Sequence, residues 1–358
     1  MNIPMAKPDI GNEEIRSVKK VLNSGWLGQG KVTKNFEKNL SKYFNSEAIT
    51  VNNGSSALMC ALLALGVNCN STVAVPAFTF LATSSVPKIL GAKIIPIDIN
   101  KETLNMDLDE LEKILKKRKI DFVIFVDVGG LPNDIDKITY LSKKYKFKIL
   151  EDAAEAFGSE YNNKKIGSFN HTTIFSFHIA KLITTIEGGC ITSKNKQIMK
   201  KVKAVKDIGR SKPGYVHDYI GSNFRITDVQ SAIGINQLKK IDKFLEKREQ
   251  VAKKYQDKIN SLEFQLNPSY ATKNSYMFFF GIAKNFNHRQ KIITALWNKK
   301  IDSRLAWLPV NMQPCNPELK KFKCKNAEDI YKKLFTIPIY NTIKNSEVKK
   351  VIETINSV

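Results

Sequence analysis

One lysine stands apart from the many in this chain because of its neighbours. Lys181 closes the segment Phe175-Ser-Phe-His-Ile-Ala-Lys181 and is followed by Thr184-Thr-Ile-Glu-Gly-Gly189. An amine so placed can form a Schiff base with an aldehyde. A carboxylate facing the nitrogen of a pyridine ring keeps that nitrogen protonated, so that the ring withdraws electrons. The upstream run Ile149-Leu-Glu-Asp-Ala-Ala-Glu-Ala156 supplies such an acid. It reads as a buried strand delivering Asp152 at its C-terminal end, where open α/β sheets bind ligands. The pair suits pyridoxal 5'-phosphate, although an acid at a strand end also suits the capping of a following helix.

A phosphate group needs unpaired amides and hydroxyls. Gly54-Ser55-Ser56, after Asn53, opens a helix and offers both at its positive end. The same three residues also make an ordinary helix start. Phe80 is a candidate for the aromatic that covers a ring face, with Phe78 as the competing choice and a plain core role open for either. His178 either orients the site or is a satisfied core histidine.

The elements that must position these groups alternate. The spacing predicts helices over 15–22, 32–43 and 55–65, then strand 72–75, helix 80–90, strand 93–97, helix 108–115, strand 122–126, helix 135–145 and strand 148–151. Strands over 173–177 and 188–192 and a helix over 197–205 follow. Alternation of this kind means a mainly parallel sheet with helices on both faces. Thr227, with Gln230 three places on, is the expected cap of one long helix running to about residue 255. Beyond it the pattern changes to a strand over 276–283 and helices over 290–297, 328–334 and 346–355. A large domain over 1–240 and a smaller C-terminal α/β domain over 241–358 are expected.

Composition narrows the class. The chain has 358 residues, 42% of them hydrophobic, enough for a sizeable core, and no apolar run long enough to span a bilayer. The N-terminus shows no leader pattern, so the cytoplasm is the expected place. Five scattered cysteines without a C-x-x-C pair and four histidines without metal-ligand spacing argue against a disulfide framework and against a metal site. The net charge of +23 is unusual and suits nucleic acid, an acidic membrane surface or an anionic small molecule. Basic runs such as 116–119 and 200–203 are spread along the chain, and no nucleic-acid reading motif is visible.

Several stretches in one order carry a resemblance: Gly25-Trp-Leu-Gly-Gln-Gly30, Asn53-Gly-Ser-Ser-Ala-Leu58, Pro76-Ala-Phe-Thr-Phe80, Gly130-Leu-Pro-Asn-Asp134, the acid strand, the lysine segment and Gly221-Ser-Asn-Phe-Arg225. From about residue 3 onward the chain resembles the DegT/DnrJ-type sugar-nucleotide aminotransferases of the fold-type-I pyridoxal phosphate enzymes. The resemblance implies an aspartate-aminotransferase-like fold. It makes Lys181 the cofactor-bonding and proton-carrying residue and Asp152 the partner of the pyridine nitrogen. Ala154 would lie beside the ring, and Ser176 would join Gly54, Ser55 and Ser56 at the phosphate. It implies a homodimer with shared active sites, in which Asn223 reaches the neighbour's phosphate. Arg225, Lys212 and Tyr215 are weaker substrate candidates, and Arg225 also reads as a surface ion-pair former.

The activity implied is amino transfer, from L-glutamate to a nucleotide-linked keto sugar at carbon 4, for a surface glycan. Amination at carbon 3 is the alternative, and a basic nucleic-acid-binding regulator on the same fold is a further one. A sister branch that removes a sugar hydroxyl has histidine in place of the lysine, so Lys181 favours amino transfer. Three departures touch the site. Glu155 stands where glutamine, or sometimes histidine, is usual. Asp127-Val-Gly-Gly130 replaces a histidine and an aromatic, and Asn311 replaces a histidine, both in regions expected to line the sugar pocket.

Overall fold

The computed structural model describes residues 2–358. In chain order its helices are α1 (Asn12–Asn23), α2 (Lys31–Phe44), α3 (Gly54–Leu65), α4 (Ala82–Ile89), α5 (Leu108–Leu115), α6 (Ile135–Tyr145), α7 (Lys196–Lys206), α8 (Asp228–Lys239), α9 (Ile241–Lys258), α10 (Phe286–Asn298), α11 (Lys325–Tyr331) and α12 (Asn345–Asn356). The strands are β1 (Glu47–Val51), β2 (Thr72–Pro76), β3 (Lys93–Ile97), β4 (Phe122–Val126), β5 (Lys148–Asp152), β6 (Glu160–Tyr161), β7 (Lys164–Lys165), β8 (Thr172–Ser176), β9 (Gly189–Ser193), β10 (Glu263–Phe264), β11 (Phe279–Ile282) and β12 (Leu334–Ile337).

Seven strands form the central sheet in the order β1-β9-β8-β5-β4-β2-β3. The pairs β2–β3, β2–β4, β4–β5 and β5–β8 are parallel. β9 alone runs against its neighbours β8 and β1. This is the expected α/β sheet covered by helices. All five residues of β4, Phe-Val-Ile-Phe-Val, are buried, as a central parallel strand with helices on both faces requires. Each such side chain contributes roughly 1.5–3 kcal/mol of burial. A second, three-stranded sheet, β10-β11-β12, packs with α9, α10 and α12 around Tyr255, Phe279, Leu296, Phe335 and Val351.

The structure differs from the expected elements in four places. The long helix after Thr227 is two: α8 ends at Lys239, and α9 starts at Ile241. Thr227 caps α8 as expected, in a capping box with Gln230. No proline or glycine marks the break, because tertiary packing sets it. α8 lies against α1 and α2, whereas α9 turns its stripe of Ile241, Phe244, Arg248, Val251 and Tyr255 to other partners. The helix expected over 328–334 ends at Tyr331, and Leu334 begins β12. β1 was not anticipated, although Ala48-Ile-Thr-Val51 is β-branched and bounded by asparagines. The hairpin β6–β7 and strand β10, two residues each, left no periodic signal.

No helix among the described residues is long and apolar enough to cross a membrane. All five cysteines are unpaired.

One buried carboxylate ties the N-terminal glycine turn to the body. Asp228, first residue of α8, accepts bonds from the Gly30 amide (2.8 Å), the Val32 amide (3.2 Å), the Thr33 amide (2.9 Å) and the Thr33 hydroxyl (2.6 Å). It thus caps α2 from outside that helix. Asp228→Ala leaves these donors unpaired in a dry place and is expected to cost about 3 kcal/mol. Urea unfolding checks this: the midpoint falls with the slope unchanged.

Candidate active site

Asp152 is the last residue of β5 and is buried. Its Oδ2 accepts a 2.8 Å bond from Thr83 Oγ1, and its Oδ1 a 3.2 Å bond from the Ala154 amide. Thr83, in turn, shares a 2.9 Å hydroxyl contact with Thr79. Burial pushes the Asp152 carboxyl upward in pKa, while the Thr83 and Ala154 bonds and the charge of Lys181 pull it back. Lys181 lies in the turn after β8, where its amide donates to the His178 carbonyl at 2.8 Å. Lys181 Nζ is 3.6 Å from Glu155 Oε1 and 5.8 Å from the ring centre of Phe278. Asp152 and Glu155 are therefore both under the field of one cation.

Glu155 has two settings at once. Its Oε2 accepts a 2.8 Å bond from the Gly129 amide while Oε1 faces Lys181. Burial raises its pKa, and Lys181 and the Gly129 amide oppose that rise. The departure from glutamine is thus answered by a backbone donor and a lysine. Asp152 adds a like charge that pushes Glu155 up further.

Asn53 caps α3, its Oδ1 accepting from the Ser56 amide at 2.8 Å. The first-turn amides of Gly54 and Ser55 have no carbonyl one turn back to bond. Ser56 is buried and Ser55 exposed. The α3 start abuts the end of β8: a Cβ on Gly54 would lie 2.9 Å from Ser176 Cβ, and one on Gly189 2.5 Å from the Asn53 carbonyl oxygen. Ser176 Oγ accepts from the His178 amide at 3.3 Å. His178 is half exposed, with Nδ1 accepting from the Ala180 amide and Nε2 3.7 Å from Glu187. It is not a core histidine. Phe80 is 59% exposed, whereas Phe78 is sealed against Phe280 and Trp307. Orphan amides, hydroxyls, an open aromatic face, a buried acid and a lysine are the donor set that an anionic pyridine cofactor requires, so these residues fit one.

The remaining candidates have their own settings within the chain. Arg225 is ion-paired with Asp207, which also takes a 2.9 Å bond from Arg210. Its guanidinium is engaged within the chain. Asn223 is exposed on a bridge to Asp207. Lys212 is exposed, and Tyr215 almost fully so at 94%. Asn311 is buried, its Nδ2 donating to the Phe322 carbonyl at 2.9 Å and to Glu328 at 2.8 Å, while its Oδ1 has no partner. Asp127 is likewise fully buried and opens onto no pocket surface. Ala154 packs partly buried against the core beneath α3.

Thr83, the Gly129 amide and Phe278 were missed by the sequence reading. Thr79 and Thr83, four residues apart beside the Pro76–Phe80 motif, were a readable signal. Gly129 and Phe278 act through a backbone group and across a long sequence separation, and no local pattern marks either. Gly129 has φ 72° and would place a Cβ 2.9 Å from both Gln265 Oε1 and Phe280 Cε2. Gly129→Ala is expected to cost about 1–3 kcal/mol. It should also turn the amide away from Glu155, read as a stability loss in urea that Glu155→Gln lessens.

The DegT/DnrJ/EryC1/StrS aminotransferase family matches residues 8–356. The GDP-perosamine synthase of Escherichia coli O157:H7 is 33% identical, over 99% of this chain and 98% of its own. The UDP-4-amino-4,6-dideoxy-N-acetyl-beta-L-altrosamine transaminase of Campylobacter jejuni subsp. jejuni serotype O:23/36 is 34% identical, over 99% and 97%. Spr1654 from Streptococcus pneumoniae, assigned as a sugar aminotransferase and solved in its PLP form, superposes with a TM-score of 0.92 at 26% identity, covering 99% of this chain and 98% of that one. A family match across nearly the whole chain, on a fold that superposes throughout, leaves one conclusion: the chain belongs to the DegT/DnrJ/EryC1/StrS aminotransferase family.

Proposed function

We propose that this protein uses pyridoxal 5'-phosphate to move an amino group from L-glutamate to carbon 4 of a nucleotide-linked 4-keto-6-deoxy sugar, making an amino sugar for a surface glycan. The observation that carries the reading is Lys181 Nζ set among two buried carboxylates, Asp152 and Glu155. Relatives named for perosamine synthesis and for a 4-amino-4,6-dideoxy sugar support the substrate class and the carbon. The net charge of +23 suits a doubly negative nucleotide sugar.

Lys181 would be the amine that holds the aldehyde of the cofactor, and its Nζ is the group placed to take and return a proton at the reacting carbon. Asp152 would hold a proton at the ring nitrogen, and Thr83 and the Ala154 amide fix the orientation of its carboxylate. The amides of Gly54 and Ser55 with the hydroxyls of Ser55, Ser56 and Ser176 take the phosphate. Phe80, exposed, would cover one ring face, and the small Ala154 would let the other approach the backbone. Glu155, held by the Gly129 amide and facing Lys181, would border the phenolic edge of the ring and would need a proton to donate a bond there. His178 borders the site beside Glu187. The cofactor, when bound, supplies the electron sink that makes the substrate C–H acidic.

We propose further that two chains form a homodimer with shared sites, and that each chain divides near residue 240 into a large and a small domain. Exposed Trp26, Leu27, Tyr215, Val216 and Ile220 are apolar surface that a second copy would cover, and Asn223 stands free to reach across. Lys212 and Tyr215 then contact the nucleotide from the neighbouring chain. The separate cores of the two sheets support the division.

A panel of UDP-, TDP- and GDP-linked 4-keto and 3-keto sugars with glutamate tests the activity by release of 2-oxoglutarate. Turnover of a 4-keto sugar is expected, with Lys181→Ala and Asp152→Asn each at least about a hundredfold slower. Turnover of 3-keto sugars alone would move the reaction to carbon 3, and no turnover of any would reject the reading. Mixing Lys181→Ala with Asn223→Ala subunits tests the shared sites. Hybrid dimers with one intact site should regain activity, and a mixture as inactive as its parents would contradict sharing.

A further inference from the structure

We propose that Asp127 is kept in the fold as an uncharged carboxylic acid, so that Asp152 meets no like charge from the strand beside it. Asp127 follows β4 directly, and its amide donates to the Asp152 carbonyl at 3.2 Å, continuing the β4–β5 ladder one step. Phe125 pairs with Glu151 and Val126 with Asp152. By the two-residue period of the pleat, Asp127 shares a sheet face with Phe125 and Glu151, and Asp152 lies on the other.

Asp127 has no solvent exposure. Its Oδ1 accepts from the Asn133 amide at 3.0 Å and from Asn133 Nδ2 at 2.9 Å, while Oδ2 is buried with no partner at all. Glu151 repeats the pattern. Its Oε2 takes the Thr173 hydroxyl at 2.7 Å and faces His171 Nε2 at 3.1 Å, while Oε1 is buried and unpaired. A carboxylate cannot donate, so two orphan acceptors on one dry face have nothing to bond. A proton on Asp127 Oδ2 turns that orphan acceptor into a hydroxyl and takes one of the two charges off the face.

The surroundings favour placing that proton on Asp127. Glu151 lies on its face from β5, Asn133 bonds it from the loop before α6, Tyr270 comes from the segment before β11, and the charge of Asp152 acts on it from the other face. The Tyr270 phenol is itself pushed up to about 12 by burial, then by Asp134 and Asp127. Among the described residues no lysine or arginine pairs with Asp127, whereas Glu151 has His171. Burial first, then the charge of Glu151, sets the Asp127 carboxyl well above the usual range, and the Asn133 bonds only partly offset this. An ionised Asp127 would in turn favour the proton on Asp152 over the ring nitrogen. Asp127 is thus a positioning residue acting through Asp152.

This rests on Asp152 being the acid of the cofactor site, but its test reads Asp127 itself and not transamination. A group raised in the folded state gives stability that is full below its unfolded value of about 3.9 and is lost as pH rises toward the folded value. The unfolding constant of the cofactor-loaded wild type, divided by that of Asp127→Asn, should therefore rise up to tenfold per pH unit between about pH 5 and 7. A ratio that stays flat overturns the proposal. Should Asp127→Asn fail to fold, carbon-13 NMR of carboxyl-labelled aspartate in Asp152→Asn decides it. One aspartate carboxyl resonance remaining at the protonated position near neutral pH is expected, and none overturns the proposal.

Discussion

Four carboxyl groups, Asp127, Glu151, Asp152 and Glu155, are buried at the ends of two adjoining strands, with Lys181 Nζ beside Glu155 and the His171 ring beside Glu151. Isolated charges in such a place cost several kcal/mol each unless they are paired, bonded or neutralised. Much of the local architecture follows from that constraint. Thr83, the Ala154 amide, the Gly129 amide, Asn133 and Thr173 each bring a donor to one of the four. With the donors in place, Asp152 is oriented rather than merely buried, and Lys181 is held near acids without being locked in a short ion pair.

The donors come from separate elements, so the site depends on the whole of the large sheet and on the segment beside the small one. Thr83 arrives on α4, Gly129 in the turn after β4, and Ser176 and Lys181 from the end of β8 and the turn beyond. The positive φ of Gly129 is what aims its amide at Glu155, and Phe280 packs where a side chain there would go. An aromatic at position 129 would have to displace Phe280. The C-terminal residues Gln265 and Phe280 thus occupy the space beside Gly129.

Much of this was legible in the sequence. The acid at the end of β5, the lysine turn after β8, the Thr227–Gln230 cap and the parallel sheet all come from short patterns whose physics is local. The failures share a different cause. The break at Lys240 has no breaker residue because packing decides it, and Leu334 left its helical pattern for a strand that β11 recruits from a distance. Arg225 was expected as a substrate contact or a surface ion-pair former and Asn311 in a region lining the sugar pocket, and neither expectation named a partner within the chain. Their partners, Asp207 and Glu328, are set by tertiary folding and are invisible to spacing. Gly129 illustrates the limit most clearly: its contribution is a backbone amide, and no side chain announces it.

The central claim is that Lys181 bonds the aldehyde of pyridoxal phosphate while Asp152 faces the far edge of the same ring. Borohydride reduction of the loaded protein, followed by peptide mass mapping, tests it directly. The account predicts a fixed phosphopyridoxyl group on Lys181 and on no other of the many lysines. A group on another lysine, or an unmodified chain that remains colourless with added cofactor, would contradict it.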